Sequence, residues 1–472
     1  MLDRFFSPKS VAIVGASEGA SVTGAPKMGT AAVTHLITHG FTGDIYPVNP
    51  GYDSVAGYKC YSSVEDIPEE VDLVLILIPA RHTIPVMHQC VNKGIKAAIV
   101  FSSGFSDAGE HKLEAQLKSI CADAGIRYCG PNSAGVIGNL NSFVACISMV
   151  CQVETFRTGD IAFLTQSGAL GGSMLGRGLE EGVGFSHWAA TGNETDVQLH
   201  DYMNYLIEQE EVHVLALFIE GIRDGYAFVE ACKKAARAGK PIVAYKTGLS
   251  DVAAKTVTSH TGAIAGSNRV FDAVCKQFGV IRVEDAADLL PIARTFSWAA
   301  GKFPAGPRVG IISASGGICG VAADDCYRFG LEIPELTEEA KSTIRNFVPE
   351  FATVTNPIDV TGQIRSYESG YQDTIREVLA QDNIDGVLLL VTMVAEPRST
   401  FYGVEISKLV KESKKPIIVG WTGAVTLSKE GYQMLLDNKV PTFLSSNDAV
   451  KAFSYLLRYV KFRERFISEQ AQ

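Results

Sequence analysis

The sequence predicts an α/β protein built from parallel sheets covered by helices. Three observations carry that prediction. Short β-branched runs alternate with longer helical patterns along the whole chain, which is the signature of strand–helix–strand units. Most runs end in a turn of Gly, Ser, Pro or Asn, as in "SVAIVGAS", "YPVNP" and "IRYCGPNSAG". The pattern also recurs: "IAFLTQSGALGG" from Ile161 has the form of "VGIISASGGICG" from Val309, and "PIVAYKTG" at Pro241 echoes "PIIVGWTG" at Pro416.

Taken in order, the elements form three blocks. In 1–141 the strands are "SVAIVGAS", "GDIYPVNP", "VDLVLILIPA", "KAAIVFSSGF" and "IRYCGPNSAG", and the block reads as a Rossmann-like domain, ahead of two doubly wound ones. The second, 142–300, runs from "GDIAFLTQSGALGG" through "FSHWAATGN", "HVLALFIEG" and "PIVAYKTG". The third, 301–472, follows the Gly/Pro-rich stretch "AAGKFPAGP" and closes on a helix capped at Ser446 or Asn447. The repeated pattern makes the second and third blocks two related flavodoxin-like domains.

Bulk properties narrow the function. The chain has 472 residues, 46% apolar and 20% charged, which fits a globular protein with sizeable cores. A net charge of −10 argues against a broad nucleic-acid face. "MLDRFFSPKS" has no long apolar run, so no signal peptide is expected, and "VDLVLILIPA" is too short to span a membrane. Ten cysteines without a C-x-x-C pair point to reduced, buried thiols in the cytoplasm and away from zinc.

Five stretches hold residues that could do chemistry. The first strand ends in Gly15-Ala16-Ser17, followed by Gly19, Gly24 and Lys27. A dinucleotide fingerprint needs tightly spaced glycines and an acid about 20 residues on. Here the glycines are displaced, and the next strand ends in "YPVNP" without an acid. The turn is either a phosphate cradle with Lys27 as counter-charge or a tight turn with a surface lysine. "QSGALGG" puts Ser167 and Gly168 where a strand gives way to a helix, either an anion site or a close-packed helix start. "ATGNET" places Asn193 in a polar turn, and "ALFIEG" ends a strand on Glu220. The stretch "TVTSHTGAIAGSNRVF" carries His260 among small and hydroxyl residues before a helix. An imidazole there is a nucleophile, a base or only a binder.

Ligands of open α/β sheets sit at the carboxyl ends of the strands, and Ser167, Asn193, Glu220 and the His260 loop all fall on that edge. A carboxylate can keep one imidazole nitrogen protonated and leave the other free to attack. A phosphorus electrophile on helix-start amides suits that arrangement. Metal ligation suits it less, because no second His or Cys lies at ligand spacing in the loop.

The ordered series "PKSVAIVGAS", "YPVNP", "GPNSAG", "QSGAL", "GN", "FIEG", "SHTGAIAGS" and "NPIDVTG" resembles the α subunit of NDP-forming acyl-CoA synthetases, relatives of succinyl-CoA synthetase. The resemblance implies a coenzyme A-binding first domain, a succinyl-CoA synthetase-like second and a ligase-CoA third. It implies that acyl-CoA and phosphate give an acyl phosphate, whose phosphoryl group passes to His260 and then to ADP. Glu220 would orient His260. Ser167, Gly168 and Ala169 would bind phosphate, with Asn193 in the adjacent turn. Gly15, Ser17, Lys27 and the turn Pro47-Val48-Asn49-Pro50 would hold the nucleotide part of CoA.

The resemblance also implies an ATP-grasp unit for ADP or ATP with magnesium, and none is legible in this chain. The expectation is a separate ATP-grasp β subunit in an α2β2 assembly, a small carboxylic acid and CoA as substrates, and no metal site on this chain. Three departures stand out: the Gly15 turn is long, reaching Lys27; Ser133 stands where relatives often have Cys; and "SASGG" at Ser313 replaces S-N-A-G-G. The competing readings are a non-catalytic CoA-binding scaffold of the same fold and an NAD-dependent dehydrogenase.

Overall fold

The computed structural model describes residues 2–20, 24, 26–250, 252–253, 267–367 and 369–470. Three large sheets organise them. The first runs Asp44–Val48, Ser10–Val14, Leu73–Ile76, Ala97–Val100, Arg127–Cys129, all parallel. Numbered along the chain this is the doubly wound order 2-1-3-4-5. Its strands are continuous apolar runs because helices cover both faces; Ile13, Leu75 and Ile99 are fully buried.

The second sheet has the same parallel core: Val280–Arg282, Ile242–Lys246, Val214–Ile219, Thr158–Thr165 and Phe185–Ala190. Two antiparallel strands, Gly135–Gly138 and Phe143–Cys146, extend it beyond Phe185–Ala190. Gly135–Gly138 falls inside the stretch that the sequence assigns to the first block, yet its hydrogen bonds go to the second sheet. The third sheet, Ile358–Asp359, Val309–Ser313, Gly386–Val391, Ile417–Trp421 and Thr442–Phe443, again has the order 2-1-3-4-5.

The chain divides into two compact units, Met1–Ala293 and Arg294–Gln472. In the first, a shared apolar core joins the two sheets: Phe5, Phe6 and Ile13 cluster with Leu164, Tyr202 and Leu206. Phe6 packs edge-on against His187 and Tyr202. The second unit has its own core around Ile312, Ile375, Leu389 and Trp421. All ten cysteines are free and buried. Among the described residues, no helix is long and apolar enough to cross a membrane.

Candidate active site

In the order 2-1-3-4-5, the chain leaves strands 1 and 3 toward opposite faces, and the carboxyl ends of those two neighbours open a crevice. In the second sheet these are Thr158–Thr165 and Val214–Ile219, paired in parallel register with Thr165 opposite Phe218. The next residues are Gln166 and Glu220, so both lie at the crevice. The Gln166 N–H continues the ladder to the Phe218 carbonyl at 3.1 Å.

Ser167 then caps the helix Gly168–Glu180 in an extended conformation, without a side-chain capping bond. Its N–H donates instead to the Thr165 hydroxyl at 3.1 Å, which in turn donates to the Ser167 carbonyl at 2.9 Å. The first-turn N–H groups of a helix lack intrahelical partners, and at this start Ser167 and Gly168 are half-buried while Ala169 is exposed. Glycines let the helix sit close: a Cβ on Gly168 would lie 2.6 Å from Ala134 Cβ, and one on Gly171 would lie 2.9 Å from Thr165 Cβ.

Glu220 is buried, and its peptide N–H donates to the Gln166 side-chain oxygen at 2.6 Å. His260, expected beside it, lies outside the described residues. Asn193 sits in the turn after Phe185–Ala190, where the Thr191 N–H bonds the Thr165 carbonyl at 2.9 Å. Its amide nitrogen reaches Asp107 at 3.1 Å, Glu114 at 3.1 Å and the Ser106 hydroxyl at 3.3 Å. These partners belong to the loop and helix that follow the first-sheet strand Ala97–Val100. Asn193 therefore ties the edges of the two sheets together. Burial pushes the Asp107 carboxyl up, but the N–H groups of Gly104 and Phe105 and the Asn193 amide outweigh it and hold the pKa below the usual value.

At the first-sheet edge, Gly15 has φ +90°, and a Cβ there would lie 2.8 Å from the Leu77 carbonyl oxygen, so only glycine fits. Its N–H bonds the Val48 carbonyl at 2.9 Å. Thr30 ties the turn from below, donating to the Ser17 and Gly19 carbonyls at 2.9 and 3.1 Å. Lys27 is exposed and immediately precedes the helix Met28–Thr38. Pro47 and Val48 are the buried last residues of an edge strand, where a proline is tolerated. Only Asn49 and Pro50 reach the edge itself. The Asn49 amide donates to the Ala16 carbonyl at 2.7 Å, and its oxygen accepts from Gly51 N at 2.9 Å.

Comparison with known proteins now bears on this geometry. Residues 9–139 match the CoA binding domain, 158–296 the succinyl-CoA ligase like flavodoxin domain, and 309–461 the ligase-CoA domain. The α subunit of ADP-forming acetate–CoA ligase II from Pyrococcus furiosus is 32% identical over 471 residues, which is 98% of each chain. The chain belongs to the α-subunit family of ADP-forming acetate–CoA ligases. It is thus an acid–thiol ligase of the NDP-forming acyl-CoA synthetase class, and the scaffold and dehydrogenase readings are not favoured. The longer ADP-forming acetate–CoA ligase II of Archaeoglobus fulgidus is 34% identical over 468 residues, 98% of this chain and 67% of that one. A solved structure of acetyl-coenzyme A synthetase 1 from Candidatus Korarchaeum cryptofilum, in complex with phosphate and ADP, is similar with a TM-score of 0.89 at 29% identity, covering 99% of both chains.

The family reading left three residues at this edge unremarked. Gln166 bridges the crevice with its side chain. Glu194, one residue past Asn193, is buried and accepts from the Thr191 hydroxyl at 2.8 Å and Leu199 N at 3.1 Å. Burial raises its pKa to about 7, against the pull of Thr191, Gln166, Arg223 and Leu199 N. Lys246, 2% exposed, ends the neighbouring strand and donates to the Thr247 carbonyl at 3.1 Å; burial and then Arg282 push its pKa down. The "Q" of "QSGAL" and the "E" of "GNET" were in view, but their meaning depends on strand neighbours far apart in sequence. Ser133, one of the sequence departures, is a buried knot: it donates to the Ala190 carbonyl at 2.5 Å and accepts from Gly135 N at 2.9 Å.

Proposed function

We propose that this chain takes acyl-CoA and phosphate to an acyl phosphate, and the acyl phosphate to a phosphohistidine at His260. A phosphate oxygen attacks the thioester carbonyl, the C–S bond breaks and CoA leaves as the thiol. An imidazole nitrogen of His260 then attacks phosphorus, the P–O bond to the acyl group breaks and the carboxylate departs. Transfer of the phosphoryl group to ADP returns His260 to its resting state. The observation that carries this reading is the juxtaposition at one crevice of a helix start without a side-chain cap and the buried acid Glu220. Helix-start amides suit phosphate charge because they are already oriented. In this reading Ser167, Gly168 and Ala169 hold phosphate, Asn193 fixes the adjacent turn, and Glu220 orients the His260 imidazole.

CoA is a substrate of the first-sheet edge. The bare Gly15 turn, Ser17 and the helix start behind Lys27 would take its phosphates, and Asn49 and Pro50, with Pro47 and Val48 behind them, would border its nucleotide. The domain match over 9–139 supports this placement. ADP or ATP with magnesium would bind an ATP-grasp β subunit in an α2β2 assembly. Support comes from the relative named as an α subunit and from the longer relative, of which this chain spans 67%. The domain boundaries 1–141, 142–300 and 301–472 remain our division of these roles. A cytoplasmic setting would keep the ten buried thiols reduced.

Incubation of the pure chain with acetyl-CoA and radiolabelled phosphate should give an acid-labile, base-stable label. Label that survives in His260→Ala would overturn the assignment. In calorimetry CoA should bind and NAD should not, and Lys27→Ala should weaken CoA by about 1 kcal/mol or more, as for a charge-assisted phosphate contact.

A further inference from the structure

Gln166 follows directly on the middle one of three neighbouring strands. Thr158–Thr165 lies between Val214–Ile219 on one side and Phe185–Ala190 on the other. Its side-chain oxygen accepts from two successive peptide N–H groups, Glu220 at 2.6 Å and Gly221 at 2.9 Å. Its nitrogen donates to the Gly221 carbonyl at 2.7 Å. On the other flank, the turn that carries Glu194 is tied to the same strand end, the Thr191 N–H donating to the Thr165 carbonyl at 2.9 Å, and the Gln166 side chain draws the Glu194 pKa down against burial. One buried side chain thus holds the turn that carries Glu220 and meets the turn that carries Glu194.

The residue type follows from this wiring. Two adjacent peptide N–H groups form a small nest that attracts anions. A carboxylate in that nest would face Glu220 and Glu194, and it could not donate to the Gly221 carbonyl. An apolar side chain would leave two buried donors unpaired. A neutral carboxamide accepts twice and donates as well. It also occupies the nest, so an incoming phosphate would meet the Gly168–Ala169 helix start instead.

We propose that Gln166, backed by Glu194, is a positioning residue that fixes the Glu220 turn for the reaction at His260. The proposal rests on the functional reading above, and its test separates the two. The readout is acetyl-CoA-dependent phosphate labelling of the full chain, with rate and half-saturating acetyl-CoA measured separately. Gln166→Met should slow labelling at saturation by about 10²-fold, the scale of a small misplacement of reacting groups, with half-saturation changed by less than about twofold. Gln166→Glu keeps the acceptor but regains the donor only when protonated. Its rate relative to the parent chain should therefore climb as the pH falls from about 8 to about 6, with Glu194, Glu220 and Arg223 as the neighbouring charges. Glu194→Ala should reproduce part of the Gln166→Met loss.

No label on the parent chain, or label elsewhere than His260, would refute the functional reading. Normal labelling of the parent with an equal rate in Gln166→Met would refute the positioning role alone. If Gln166→Met does not fold by circular dichroism, Gln166→Glu decides: a pH profile parallel to the parent's overturns the proposal.

Discussion

The second and third sheets share a strand order and a first crossover helix of the same length, Gly168–Glu180 and Gly316–Arg328, each begun by a serine without a side-chain cap. They part at the residues that line the crevice. Thr165-Gln166-Ser167-Gly168 in one corresponds to Ser313-Ala314-Ser315-Gly316 in the other, and Glu220 corresponds to Thr392. Ala314 has no carboxamide to span the gap. Instead the Ser313 hydroxyl reaches across to the Leu390 carbonyl at 2.8 Å. The third edge has neither an acid at the Glu220 position nor the glutamine; its acid is Asp359, at the end of the other neighbouring strand, where it accepts from Thr361 N at 2.9 Å. The fold supplies a crevice in both cases, and side chains decide whether it has chemistry.

The largest effect should come from erasing that difference. Gln166→Ala with Glu220→Thr turns the second edge into a likeness of the third, and phosphate labelling should fall by about 10²-fold or more. Full labelling in this double variant would mean that the two edges differ in name only.

A smaller contrast lies in the helices. A Cβ on Gly171 would meet the Thr165 side chain at 2.4 Å, whereas nothing lies within 4 Å of one on Gly320. Gly171→Ala should cost about 1–3 kcal/mol in denaturant unfolding through overpacking. Gly320→Ala should stabilise by up to about 1 kcal/mol through helix propensity. Equal shifts would show that the second helix is not held close by its glycines.

Much of this comparison is legible in the sequence. The recurrence of "IAFLTQSGALGG" in "VGIISASGGICG" exposed the paired domains, because strand-to-helix punctuation survives as Gly and Ser at fixed spacing. The sequence puts Ser167 and Glu220 on one edge because residues just past an apolar strand fall there. The bridge from Gln166 to Glu220 was not legible, since it joins residues 54 apart through a strand pairing that no local pattern encodes. The recruitment of Gly135–Gly138 into the second sheet was missed for the same reason. The Pro47-Val48 pair looked like part of a turn, but the edge strand absorbs it because proline loses no ladder bond there.

Two acids give opposed effects. Glu194 in the first unit is shifted up to about 7 by burial. Between its ordinary value of 4.5 and about 7, the folded chain binds a proton that the unfolded chain does not. That contribution to stability is complete below the window and is lost as pH rises through it, by up to about 3 kcal/mol. Glu194→Gln should flatten this decline in melts taken from about pH 5 to about pH 8. Glu396 in the second unit is pulled down to about 2, first by Ser399 and Thr400 and then by the N–H groups of Gly431 and Thr400. Its contribution is present above 4.5 and is lost as pH falls toward about 2, and its exposure to solvent makes it the lesser of the two. Melts of Glu396→Gln should diverge from the parent's only at neutral pH and converge with it in acid.

The most direct test compares one substitution at each edge. Acetyl-CoA-dependent phosphate labelling should be measured for Glu220→Gln and for Thr392→Ala, with thermal melts confirming that both chains are folded. The account predicts that Glu220→Gln labels at least about 10²-fold more slowly, because the imidazole loses its orienting charge, and that Thr392→Ala labels at the parent rate. Equal labelling of the two variants, or a loss in Thr392→Ala alone, would contradict it.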